Sequence, residues 1–223
     1  MSLRNREVIV AGGAGGLGSE TVQLLEADGA RVLSGSRSGG TVRADITRAE
    51  DRARLLDAAS NLYGLVVFTG TPARGKAEEM MQVSHDVNYA GPILLARAAA
   101  DRMRDRGMAG SIVLLSTMQA VALFPGSTVY AAEKAALTHA ARILAKECRG
   151  RVNIRVNVVA PGVMNAGMAM PSIDAGKYER YLAEDIISRY GRAMDVARAV
   201  RFLLEPDSYI TGQVLSVDGG ITL

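Results

Sequence analysis

The chain has 223 residues, a net charge of +3 and ordinary apolar content, rich in alanine and glycine and without tryptophan. That length suits one domain or two small ones with a substantial core. The charge is slight and no run of five or more basic residues occurs, so the basic balance says little about nucleic acid, and no nucleic-acid partner is expected. The single cysteine, Cys148, excludes an intramolecular disulfide and suits a reducing cytoplasm. Met1 to Arg6 is polar, unlike a signal peptide, and no apolar run approaches the ~18 residues that span a bilayer. The expectation is a cytoplasmic chain with no membrane partner.

Glu7 to Ala11 reads as a buried strand, Gly12-Gly13-Ala14-Gly15-Gly16-Leu17-Gly18 as a turn, and Ser19 to Ala27 as a helix with Val22, Leu24 and Leu25 inward. Backbone without Cβ lets a pyrophosphate approach closely, and a helix N-terminus offers unpaired N–H groups and a positive dipole end. Strand, glycine turn and helix together point to a dinucleotide. Ala30 to Ser34 is the next strand, followed by Gly35-Ser36-Arg37. A carboxylate here would accept a bond from a ribose 2′-hydroxyl, whereas an arginine favours a 2′-phosphate. No acid stands here, so NADP is preferred, with NAD as the alternative. Ser38-Gly39-Gly40 leads directly into a third strand, Thr41 to Ala44, leaving no room for an intervening helix.

Thr47 with Glu50 has the spacing of a capping box for a helix reaching Ala59. Gly64 to Phe68 is a central strand that ends at Thr69-Gly70. Lys76 to Arg104 reads as one long helix with Pro92 inside it. A proline there has no N–H for the carbonyl four residues earlier, that of Asn88, so a kink or ordered water is expected beside Asn88. Ser111 to Leu115 is an apolar strand followed by two hydroxyls, Ser116 and Thr117. The next helix, to about Cys148, carries Tyr130-Ala131-Ala132-Glu133-Lys134. Residues four apart share a helix face, and a lysine ammonium beside a phenol favours the phenolate, making Tyr130 a candidate general acid or base. On its own such a pair is usually a helix surface. Val152 to Ala160 is a strand of the kind parallel sheets bury on both faces, ending at Pro161-Gly162-Val163. Residues 164–188, with several methionines, Pro171 and Gly176, form an expected substrate lid. Asp195 to Leu204 is an amphipathic helix, and Tyr209 to Gly220 closes the chain with a strand and turn. His85 and His139 stand apart without ligands at metal spacing, so no metal is expected.

The spacing Gly12-x-x-x-Gly16-x-Gly18, the Tyr130-x-x-x-Lys134 pair, the Thr117 hydroxyl thirteen residues before Tyr130 and the closing segment resemble the short-chain dehydrogenase/reductase family, in order, from about residue 7 to 221. The resemblance implies that Gly12, Gly15, Gly16, Leu17, Gly18, Ser36, Arg37, Asp45, Ile46, Thr69, Gly70, Tyr130, Lys134, Pro161, Gly162 and Val163 line the cofactor. Asp45 would face the adenine, and the turn at 161–163 the nicotinamide carboxamide. It further implies Tyr130 as proton donor, Lys134 as its tuner and ribose holder, a hydroxyl (Thr117 ahead of Ser116) orienting the substrate oxygen, and Asn88 holding a relay water. Departures are Ala11 for threonine, Val67-Phe68-Thr69 for Asn-Asn-Ala, Thr117 for serine, and Ala166 for a threonine, with Asn165 as its candidate substitute.

The expectation is therefore a single α/β Rossmann-like domain, a doubly wound parallel sheet of about seven strands, moving a hydride between NADP(H) and a small carbonyl or secondary alcohol. The family implies a homotetramer or homodimer through the two long helices. The departures keep one rival open, a non-catalytic NADP(H)-binding sensor or regulatory protein; a second is a non-redox epimerase or dehydratase with Tyr130 as base.

Overall fold

Apolar runs in this chain divide their side chains between two sides of one sheet. In the strand Leu62–Val67, all six residues are buried; Leu65 and Val67 enter one cluster and Val66 the other. Ile112 and Leu114 of Gly110–Leu115 join the first cluster, and Val113 the second. That alternation follows from the two-residue period of a strand, and burial on both faces explains why the runs lack polar breaks. Each fully buried Val, Leu or Ile contributes roughly 1.5–3 kcal/mol, so the sheet interior is the main stabilising element.

The computed structural model describes residues 3–72 and 77–223. Seven strands form one sheet in the order β3-β2-β1-β4-β5-β6-β7, with every neighbouring pair parallel. They are β1 (Glu7–Ala11), β2 (Arg31–Ser36), β3 (Val42–Arg43), β4 (Leu62–Val67), β5 (Gly110–Leu115), β6 (Ile154–Pro161) and β7 (Val214–Val217). Helices α1 (Gly16–Ala27), α2 (Ala49–Asp57), α3 (Ala77–His85), α4 (Gly91–Asp105), α5 (Thr128–Glu147), α6 (Met170–Asp174), α7 (Glu179–Ala183) and α8 (Ala193–Leu203) complete the order. Residues of α2, α4 and α5 pack in one cluster, those of α1 and α8 in the other. The strand order reverses between β1 and β4, where a doubly wound sheet opens a crevice at its carboxyl edge.

Three local expectations need correction. Thr47 and Glu50 form no capping box: α2 starts at Ala49, and the Thr47 hydroxyl donates to Asp45 Oδ1 at 2.8 Å. The Thr47 N–H bonds the same oxygen at 3.0 Å, a local turn that competes with the cap. The expected helix from Lys76 to Arg104 is divided: α3 and α4 flank a π turn at Asp86–Ala90, with the Gly91 N–H reaching back to the Asp86 carbonyl. Pro92 in the first turn of α4 removes one i→i+4 bond, and the π turn absorbs the change of register. Lys76 itself lies outside the described residues. The third strand holds two residues, shorter than expected, and no helix intervenes between β2 and β3.

Candidate active site

The glycine turn is dictated by backbone contact. Gly12 has φ +84°, and a Cβ on Gly18 would overlap the Gly12 carbonyl oxygen. A Cβ on Gly16 would lie 2.9 Å from the Gly167 nitrogen. Gly15 caps α1, whose first N–H groups have no acceptor inside the helix. These residues, with Leu17, line a cleft of about 560 Å³ that continues past Ser36, Arg37, Asp45 and Ile46 to Thr69 and Gly70. Arg37 is exposed on its rim. The Ser36 hydroxyl is occupied by its own loop, donating to the Gly39 carbonyl at 2.6 Å and accepting from the Gly39 N–H at 2.9 Å. It braces the loop that carries Arg37.

A second cavity, of about 500 Å³, shares Leu17, Phe68, Thr69, Gly70 and Met168 with the first. Thr117, Tyr130 and Lys134 line it, as do Ser116, Pro161 and Gly162. The parallel pairing of β4, β5 and β6 brings their ends level, and α5 lies across them. The adjacent hydroxyls point to different tasks. Ser116 Oγ lies 2.6 Å from the Thr138 hydroxyl and donates to the Lys134 carbonyl at 3.2 Å, bracing α5. The Thr117 hydroxyl accepts from the Gln119 N–H at 3.3 Å and interacts with the Tyr130 phenol. Thr117, rather than Ser116, is therefore the hydroxyl beside the phenol.

Lys134 is buried, and its Nζ donates to the carbonyls of Leu115 at 2.9 Å and Thr69 at 3.3 Å. Burial without a carboxylate pulls its pKa down to about 7. Burial pushes the Tyr130 phenol up to about 12; Thr117 opposes that shift and Tyr178 adds to it. Burial is the largest cause of both shifts. Asn88 is fully buried and clamps the loop after β4. Its amide nitrogen donates to the Thr71 carbonyl and to the Ser84 hydroxyl, both at 3.0 Å, while its oxygen accepts from the Thr71 N–H at 2.9 Å. A Cβ on Gly70 would lie 3.3 Å from Asn88 Oδ1 and 3.7 Å from Lys134 Nζ, so these groups converge.

Two expected members fall elsewhere. The Val163 side chain is buried in the lid cluster and lines neither cavity. Asn165 is exposed and lines neither, while Ala166 lies on the wall. The lid consists of a short 3-10 turn at Gly167–Ala169 with α6 and α7. Gln119, Met118 and Lys177 also line the second cavity and were not anticipated; a polar residue two places after Thr117 was the available signal for Gln119. Among the described residues no group of His, Cys, Asp or Glu suits a metal, and no helix is long and apolar enough to cross a membrane.

A nicotinamide dinucleotide fits this arrangement. The glycine cradle excludes side chains where a pyrophosphate would lie, and Thr69 Oγ1, on the wall shared by both cavities, is buried without a hydrogen-bond partner.

Comparison with known proteins agrees. A family profile described as enoyl-(acyl carrier protein) reductase matches residues 12–222. The chain is 34% identical to carbonyl reductase family member 4 of Danio rerio, over 98% of this chain and 99% of that one. It is 32% identical to the L-xylulose reductase of Caenorhabditis elegans, over 98% and 96%. The structure of a short-chain type dehydrogenase/reductase from Mycobacterium ulcerans superposes with a TM-score of 0.90 at 29% identity, covering 100% of this chain and 91% of that one. With its sheet order, glycine cradle and paired cavities, the chain belongs to the short-chain dehydrogenase/reductase family and is an NAD(P)-dependent oxidoreductase acting on carbonyl or alcohol substrates.

Proposed function

We propose that the chain reduces a small carbonyl compound, or oxidises the matching secondary alcohol, with NADP(H) as the preferred dinucleotide and Tyr130 as the proton-transfer group. The observation that carries this reading is the convergence of Thr117, Tyr130 and Lys134 on a cavity that shares a wall with the glycine cleft.

Gly12, Gly15, Gly16, Leu17 and Gly18 would hold the pyrophosphate, Arg37 the 2′-phosphate, Asp45 and Ile46 the adenine, and Lys134, Pro161 and Gly162 the nicotinamide end. The dinucleotide, when bound, supplies or accepts the hydride. The chain's own part is proton management. A phenol at about 12 is protonated at neutral pH, so Tyr130 is ready as the acid in reduction. The Thr117 hydroxyl orients the substrate oxygen beside it. Lys134 fixes the ends of β4 and β5 through two carbonyls, and Asn88 holds the adjoining loop. This preorganised polar wall is the main source of rate. Self-association through α4 and α5, where Leu94 and Ile143 are exposed, completes the reading; a monomeric mass in sedimentation would remove that part.

Tyr130→Phe tests the assignment. Turnover of NADPH with carbonyl substrates should fall by at least about 10²-fold while NADPH binding is retained. Thr117→Val should follow it, whereas Ser116→Ala should cost stability of about 1 kcal/mol rather than rate. Full activity in Tyr130→Phe would sink the role.

A further inference from the structure

The catalytic cavity has an uneven charge. Among the described residues its ionisable lining is Tyr130, Lys134 and Lys177, with no aspartate or glutamate. Lys134 is committed to two carbonyls deep in the wall. Lys177 differs: it is exposed on the lid between α6 and α7, and it reaches the cavity from there. Its ammonium lies 5.7 Å from the Tyr178 ring, and among the described residues no carboxylate pairs with it. The lid's own acids, Asp174, Glu179, Glu184 and Asp185, do not line the cavity.

The opposite wall presents Gln119. Its backbone N–H donates to the Thr117 hydroxyl at 3.3 Å in the turn after β5, and the residue lines the cavity. Gln119 Oε1 is buried and has no hydrogen-bond partner. A buried amide oxygen without a partner is destabilising, and it is tolerated where a ligand completes it. The rest of the wall includes Met118, Met164 and Met168 as well as the hydroxyl residues Thr117 and Ser127. The cavity thus combines hydroxyls beside the phenol with thioethers, one amide awaiting a partner and, among the described residues, one cation without a carboxylate partner.

We propose that the substrate is an anionic carbonyl compound, a keto acid or its hydroxy-acid counterpart, whose charged group is held by Lys177 while Gln119 bonds a polar group on its chain. This rests on the reading of the cavity as the carbonyl site, with Tyr130 at the reacting carbon's oxygen. Carboxylate and phosphate share the chemistry that Lys177 recognises, as a point charge with three donors.

The test compares 5-oxohexanoate, its methyl ester and dihydroxyacetone phosphate. In the wild-type chain the acid should have a KM about two- to fivefold below that of its ester, the scale of an exposed charge pair. That acid-to-ester ratio should fall toward one in Lys177→Ala and return in Lys177→Arg. Gln119→Leu should raise KM for the hydroxylated phosphate more than for 5-oxohexanoate, which has no hydroxyl. A preference for dihydroxyacetone phosphate over both hexanoates would identify phosphate as the anion. Binding by calorimetry to Tyr130→Phe gives a readout free of turnover. If acid and ester bind there equally, or if Lys177→Ala leaves their ratio unchanged, the proposal is overturned. Absence of turnover with all three, together with tighter binding of the acid, would instead count against Tyr130 facing the reacting carbonyl and leave the anion site standing.

Discussion

The two cavities meet at Leu17, Phe68, Thr69, Gly70 and Met168, yet they are made of different material. One end of the first cleft is bare backbone, with glycines at positions 12, 16 and 18 where a Cβ would strike a neighbouring turn. The catalytic cavity is mostly side chain, with hydroxyls, a phenol, two lysines and methionines from separate segments of the chain. In the first, sterics leave almost one admissible residue per position. In the second, chemistry and shape are met by combinations, so single positions drift. Thr117 in place of serine illustrates that drift: the hydroxyl is kept, and the added methyl narrows the wall.

This contrast makes Gly18→Ala the most damaging small change. The new methyl would overlap the Gly12 carbonyl oxygen, and backbone cannot rotate out of the way as a side chain can. Dinucleotide affinity should fall by more than about 100-fold, or the fold should lose roughly 3 kcal/mol, since strain of this kind is among the large destabilising mechanisms. Fluorescence titration with NADPH and thermal unfolding read both outcomes. Normal affinity and melting in Gly18→Ala would show that the cleft is not backbone-limited.

Legibility in the sequence follows the same division. The glycine turn and the sheet runs could be read because backbone geometry and two-sided burial each demand particular residues. Thr47-x-x-Glu50 misled because a cap is a competition, and Asp45, two residues upstream, holds the Thr47 hydroxyl instead. Pro92 indicated a disturbance near Asn88, but only the folded chain shows a π turn there. Val163 could not be placed from its position after Pro161-Gly162, because strand-end side chains alternate and this one turns into the lid cluster. Lys177 and Gln119 were invisible for a different reason. Their meaning lies in what does not surround them, and that is a property of packing.

The catalytic cavity can be tested through its buried lysine. Folding lowers the Lys134 pKa from 10.5 to about 7. Between those values the unfolded lysine carries a proton that the folded one has shed, so unfolding becomes harder as pH rises. Above pH 9 the raised Cys148 thiol, and above pH 10 the raised Tyr63 and Tyr130 phenols, work in the opposite sense. The clean window is therefore pH 7 to 9. Stability of the ligand-free chain should climb there by up to about 1.4 kcal/mol per pH unit, and Lys134→Met should flatten the climb. Chemical denaturation across that window measures it. An unchanged slope in the variant would mean that Lys134 stays charged in the folded chain.

The smallest effect sharpens the cofactor cleft at its one side-chain-dependent corner. Arg37 is exposed, follows Ser36 at the end of β2, and its carbonyl accepts from the Arg43 guanidinium at 3.1 Å. Ser36, in turn, fixes the loop through Gly39. The backbone around Arg37 is thus held while its guanidinium remains at the surface, where water screens it. A 2′-phosphate contact there is worth about a factor of ten at most. Arg37→Ala should weaken NADPH by roughly five- to tenfold and leave NADH unchanged, and the loss should shrink as salt is added. Tighter binding of NADH than NADPH in the parent, indifferent to Arg37→Ala, would overturn the NADP preference while leaving the glycine cradle intact. The two halves of the cleft are separable in that way because the cradle acts through shape, which salt does not alter, and the rim acts through charge, which it does.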